Sequence, residues 1–137
     1  MSTGSSQASS LHSRLLAPKA PEKPADHRKW GELHGCSDAL AICESARNHE
    51  GLTLVVTRST DDAIRLEQAI RFFLNLPPEE DGATVTEDGL ELLSLPDWET
   101  LPYDLFSPHQ DITSRRLRTL HRLPSTRHGI LVVPART

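Results

Sequence analysis

Cysteine is scarce in this chain of 137 residues: Cys36 and Cys43 are the only two. Two thiols seven positions apart are neither a disulfide framework nor a C-x-x-C redox pair, so a reducing compartment suits the chain best. Aromatic residues make up only 4%, and a lean core must come from aliphatic side chains. Nowhere does an apolar run approach the ~18–20 residues that span a bilayer, so no membrane partner is expected. No lysine occurs after Lys29, and residues 75–104 hold neither Lys nor Arg.

Charge of one sign is missing from whole blocks. Residues 1–30 balance to +3, residues 31–74 to −3, residues 75–104 to −9 and residues 105–137 to +5, within a net charge of −4. A protein built mainly to coat nucleic acid is excluded by that total. An anionic partner would meet the last block, where Arg115, Arg116, Arg118 and Arg122 cluster.

The first 29 residues are Ser-rich and then Pro/Lys-rich, with no apolar periodicity. They bury too little surface to offset the entropy of ordering and are expected to form a disordered tail. Neither a secretory signal nor a transit peptide fits, because Leu11, Leu15 and Leu16 make no continuous apolar stretch and Glu22 and Asp26 intrude.

From Trp30 the pattern alternates. A helix from Ser37 or Asp38 to about Arg47 is followed by a β-branched run, LTLVVT (52–57). A second helix begins at Thr60 or Asp61 and carries Ala63, Leu66, Ile70, Phe73 and Leu74 at helical spacing, until Pro77-Pro78 ends it. An acidic loop precedes a strand near Leu90–Leu95. A last helix, capped by Asp111 or Thr113, has Leu117, Leu120 and Leu123 on one face and Arg115, Arg118 and Arg122 opposite. GILVVP (129–134) closes the series. Helices alternating with short apolar strands predict an α/β domain, a parallel sheet with helices on both faces. Three such strands make a narrow sheet with open edges, so a piece of a longer protein, of marginal stability by itself, is expected.

Residues 31–40 stand where a phosphate-binding loop would enter its helix. Gly31 and Gly35 suit such a loop, but Asp38 or Ala39 occupies the place of the phosphate-binding Lys. An acid at that position repels phosphate, and the loop reads as degenerate. Three further constellations have the right residue types in weak patterns. His109, His121 and His128 with Asp104 or Asp111 lack metal-ligand spacing. Ser107, His109 and Asp111 lack a nucleophile elbow. Cys36 near a helix start has the setting of a redox thiol, but a buried small hydrophobe is the simpler role for either cysteine. The arginine helix lacks interleaved aromatics for stacking bases. Either a domain contact or a DNA-phosphate contact suits it.

One stretch is specific. Asp97-Trp98-Glu99-Thr100-Leu101-Pro102-Tyr103-Asp104, then Phe106-Ser107-Pro108-His109-Gln110-Asp111-Ile112, continuing through Arg116, Leu117, Thr119 and Leu120 to Gly129–Pro134, resembles the amino-terminal domain of the bacterial transcription-repair coupling factor (Mfd) family. Weaker similarity reaches back through 52–57 to Gly31. The resemblance implies residues 30–137 as the first part of a UvrB-like domain with a partial RecA-like (P-loop NTPase-type) sheet and a decayed phosphate loop. It also implies a cytoplasmic bacterial protein. Members of that family are ATP-driven DNA translocases that displace stalled RNA polymerase and recruit UvrA, using ATP and Mg²⁺ bound elsewhere in the chain. No catalytic residue, cofactor or metal is expected here. Trp98, Tyr103, Phe106, His109, Arg115, Arg116, Arg118 and Arg122 are the candidate contacts to other domains or to double-stranded DNA. A small stand-alone nucleotide- or nucleic-acid-binding protein is the alternative.

Overall fold

The computed structural model describes residues 21–77, 85–98 and 110–135. Helix α1 spans Ser37–Arg47, strand β1 Leu52–Thr57, helix α2 Thr60–Phe73, strand β2 Glu91–Ser94, helix α3 Gln110–Arg122 and strand β3 Gly129–Pro134, with a 3₁₀ turn at Leu123–Ser125. The predicted α/β class is what the structure shows: one all-parallel sheet in the order β1-β3-β2. Helix α2 begins at Thr60, as expected, with Ser59 as its cap, Oγ accepting from the Asp62 amide at 3.1 Å. Helix α3 begins at Gln110, so Asp111 and Thr113 lie inside it rather than at its cap. The start of α1 follows Cys36, which contributes no side-chain cap.

The strand order dictates where the helices go. From β1 the chain crosses over β3 to reach β2, then turns back to β3. Right-handed connections running in opposite directions place their helices on opposite faces of a sheet. Accordingly α2, together with α1, packs on the face formed by Val55, Leu92, Ile130 and Val132. Ala39, Cys43, Ala46, Ala63, Leu66 and Ile70 come from the two helices to that core. Helix α3 lies against the other face, where Arg122 Nε meets Glu91 Oε1 at 3.2 Å and where Leu93 and Leu131 are buried.

Small residues let α1 and α2 approach closely. The Cys43 thiol is buried between them, 4.0 Å from the Ile70 carbonyl. Burial pushes its pKa up to about 11, only partly opposed by Arg47. The Glu67 carboxylate and Arg71 guanidinium form a buried pair at 3.1 Å, and Arg71 also donates to the Pro77 carbonyl. That bond holds the turn that leaves α2 through Asn75 in the left-handed region (φ 53°). Where β3 begins, a Cβ on Gly129 would stand 2.5 Å from the Glu91 carbonyl oxygen of the neighbouring strand. Only glycine allows the two backbones to meet there.

Two consequences are measurable. Gly129→Ala should lose about 1–3 kcal/mol in urea melts. Gly51→Ala, which would meet only the movable His49 ring, should lose less. A raised thiol pKa makes the folded state hold its proton longer than the unfolded chain, whose thiol keeps the ordinary 9.0. Stability should therefore be intact below about pH 9 and fall as pH rises towards 11. Urea melts of Cys43→Ala across the same range should show a shallower decline than the parent chain.

Candidate interdomain surface and degenerate phosphate loop

The loop from Gly31 to Cys36 is exposed, and Glu32 and Gly35 both take positive φ (59° and 62°). Ser37 closes it by donating through Oγ to the His34 carbonyl at 2.8 Å. The next residue, where an intact phosphate-binding loop would carry its Lys, is an acid with two partners. Asp38 Oδ1 accepts from the Ala39 amide at 2.7 Å, and Oδ2 accepts from Arg65 of α2 at 3.0 Å. The hydrogen bond to Asp38, more than the charge itself, raises the Arg65 pKa above its ordinary value. A carboxylate of the chain thus sits on the positive end of α1, where a phosphate would otherwise lie. Its charge is already neutralised by a second helix.

A cavity of about 340 Å³ opens at the carboxyl ends of the strands, where α2 and α3 leave on opposite faces. Such switch points hold ligands in many open α/β sheets. This one is lined by Thr60 and Glu67 of α2, Pro96 and Pro134 at the strand ends, and Asp111 and Arg115 of α3. Among the described lining residues, two acids, Glu67 and Asp111, face one arginine, Arg115.

The arginine helix is placed differently from its amphipathic reading. Leu117 and Leu120 are 63% and 50% exposed, Leu123 is half-buried, and Thr119 is the buried residue of α3. The polar face packs on the sheet. Thr119 Oγ1 donates to the Ser94 carbonyl at 2.6 Å, Arg122 pairs with Glu91, and Arg116 donates to the Pro96 carbonyl. The Arg116 guanidinium also lies 4.4 Å from the centre of the Trp98 ring, a cation–π contact that fixes the chain just beyond β2. The physical reason is the edge position of β2. On its outer edge the Ser94 carbonyl has no strand to bond, and the polar face of α3 supplies the donor.

Arg115, Arg116 and Arg122 are thus half-buried within the domain, while Arg118 projects into solvent. Tyr103, Phe106 and His109 lie outside the described residues, as do Ser107 and Asp104. The His128 ring lies 2.9 Å from the Ala46 carbonyl through Nε2. Among the described residues no group of three His, Cys, Asp or Glu stands close enough to hold a metal ion. Among them, too, no helix is long and apolar enough to cross a membrane. Sequence reasoning missed the Asp38–Arg65 and Glu91–Arg122 pairs. Only an acid on one element and a basic residue on another signalled them, a pattern shared by many residues here.

Comparison with known proteins adds the decisive observation. The chain is 38% identical over 117 residues to the transcription-repair-coupling factor of Escherichia coli, an overlap of 85% of this chain and 9% of the relative. To the transcription-repair-coupling factor of Haemophilus influenzae it is 38% identical over 127 residues, 93% of this chain and 10% of the relative. This chain is related to the transcription-repair-coupling factors. It spans about a tenth of the length of the relatives it matches. No protein-family model matches it.

The geometry separates the arginines by what their loss should do. Thr119→Val removes the hydrogen bond to the Ser94 carbonyl of β2 and should cost about 1–2 kcal/mol in thermal or urea melts. Arg118→Ala should stay within about 0.5 kcal/mol. Arg116→Ala should also free the Trp98 ring, read as a red shift in tryptophan emission that Arg118→Ala does not produce.

Proposed function

We propose that this chain serves transcription-coupled DNA repair as a non-hydrolysing structural lobe. It would be the first part of a UvrB-like module in a protein that binds double-stranded DNA, displaces stalled RNA polymerase and recruits UvrA. In that reading ATP and Mg²⁺ act in a motor elsewhere in the protein, and this lobe shapes the surface that partners and neighbouring domains meet. Its relatives support the process, since both are transcription-repair-coupling factors by name. The observation that carries the non-hydrolysing role is Asp38. It stands at the start of α1 in place of a lysine and is bound to both the helix amide and Arg65. The exposed Arg118 and the half-exposed Trp98 are contact candidates, because Arg116 and Arg122 hold α3 to the strand beneath it.

Two measurements test this. An antibody against residues 95–123, applied to the cells that make the protein, should reveal a product roughly ten times this length, as in the relatives. A band at 15.2 kDa would overturn the placement within a translocase. Calorimetric titration of the 137-residue chain with MgATP should give no saturable heat up to millimolar nucleotide. Micromolar binding would sink the non-hydrolysing role.

A further inference from the structure

The buried Glu67–Arg71 pair of α2 uses only half of its carboxylate. Arg71 donates through Nε at 3.2 Å and through Nη2 at 3.1 Å, and both bonds end on the same oxygen, Glu67 Oε1. Among the described residues nothing donates to Oε2. A carboxylate offers about four lone-pair sites, so those of the second oxygen are open. Glu67 is 7% exposed, yet Oε2 is not sealed from solvent. Among the described residues, the sealed side-chain atoms without a partner are Ser45 Oγ and Arg116 Nε. The opening that Glu67 keeps leads into the 340 Å³ cavity at the carboxyl ends of the strands, which it lines.

This arrangement gives the cavity a sign. Arg71 holds the other oxygen and lies outside the lining, so the cavity meets the negative end of the pair. On the α3 side Asp111 and Arg115, four residues apart and opposite in sign, offset each other. An open carboxylate oxygen in such a place repels anions and is best answered by a positively charged donor, whose hydrogen bond is roughly twice as strong as one between neutral groups. One open oxygen suits the compact ammonium head; the planar fork of a guanidinium matches two. Much of the remaining wall is apolar, from Ala63 and Ile64 of α2, Ile112 of α3 and the strand-end prolines Pro96 and Pro134. A stem of methylenes would leave water there. The volume is at the small end of the ligand-sized range of roughly 300–1,000 Å³, which suits a small amine or a single side chain.

We propose that this cavity binds an alkylammonium group, with the charged head on Glu67 Oε2 and the stem between α2 and α3. Free primary amines and a lysine side chain presented by another protein share that chemistry. The site does not depend on the structural role proposed for the lobe. It adds a ligand at the switch point of the sheet, where open α/β sheets commonly hold one.

Methyl NMR titration of the purified gene product, at the length its gene encodes, tests this through the Ile64 and Ile112 methyl signals. n-Butylammonium should shift both saturably in the millimolar range, and n-butanol, the same stem without the charge, should need at least about tenfold more. Butyrate should shift neither. Glu67→Gln should weaken n-butylammonium by about tenfold or more. Because that change also loosens Arg71, Ile64→Trp is the second variant. It fills the cavity from a side chain that is 47% exposed, leaves the ion pair in place and should abolish the Ile112 shift. Equal potency of n-butanol and n-butylammonium, or no saturable shift, overturns the site and leaves the coupling-factor role standing. Undiminished binding in Ile64→Trp overturns it too. Where n-butylammonium binds as expected, Nα-acetyl-lysine amide distinguishes the sources: binding at least about tenfold tighter assigns the site to a protein side chain, and equal or weaker binding to a free amine.

Discussion

Strand β3 has to be covered on both faces, and the rest of the molecule follows from that. Its Ile130, Leu131 and Val132 are all buried, so an apolar residue is presented to each side of the sheet and neither side tolerates water. The chain meets the demand by reversing direction between β2 and β3, which sends α2 to one face and α3 to the other. The glycine at the start of β3 belongs to the same constraint. Without a side chain at Gly129, β2 closes on β3 tightly enough to bring Glu91 beneath α3.

Helix α3 shows how an edge strand alters the usual division of labour on a helix. An amphipathic helix normally turns its leucines inward, for about 25 cal/mol per Å² of apolar area removed from water. Here the β2 edge presents the Ser94 and Pro96 carbonyls, and the polar face answers them through Thr119 and Arg116. Leu117 and Leu120 are left exposed in exchange. The Arg116–Trp98 contact extends the arrangement to the first residues of the family-like segment.

At the start of α1 the protein satisfies its own charges. Asp38 caps an amide with one oxygen and pairs with Arg65 through the other. The pair thereby serves as a strut between α1 and α2.

The sequence by itself determined the local elements and the relationship to the coupling factors. The β-branched runs at 52–57 and 129–134, the helical spacing from Ala63 to Leu74 and the missing lysine beside Gly35 are local signals. Each reflects the conformational preference or chemistry of neighbouring residues, and each could be read without knowing the fold. Only the tertiary structure decided the strand order, the burial of the arginine face of α3 and the partner of Asp38. These depend on which unpaired backbone groups and charges another element brings alongside. A periodic pattern marks two faces of a helix, but the neighbour at the sheet edge selects the one that is buried.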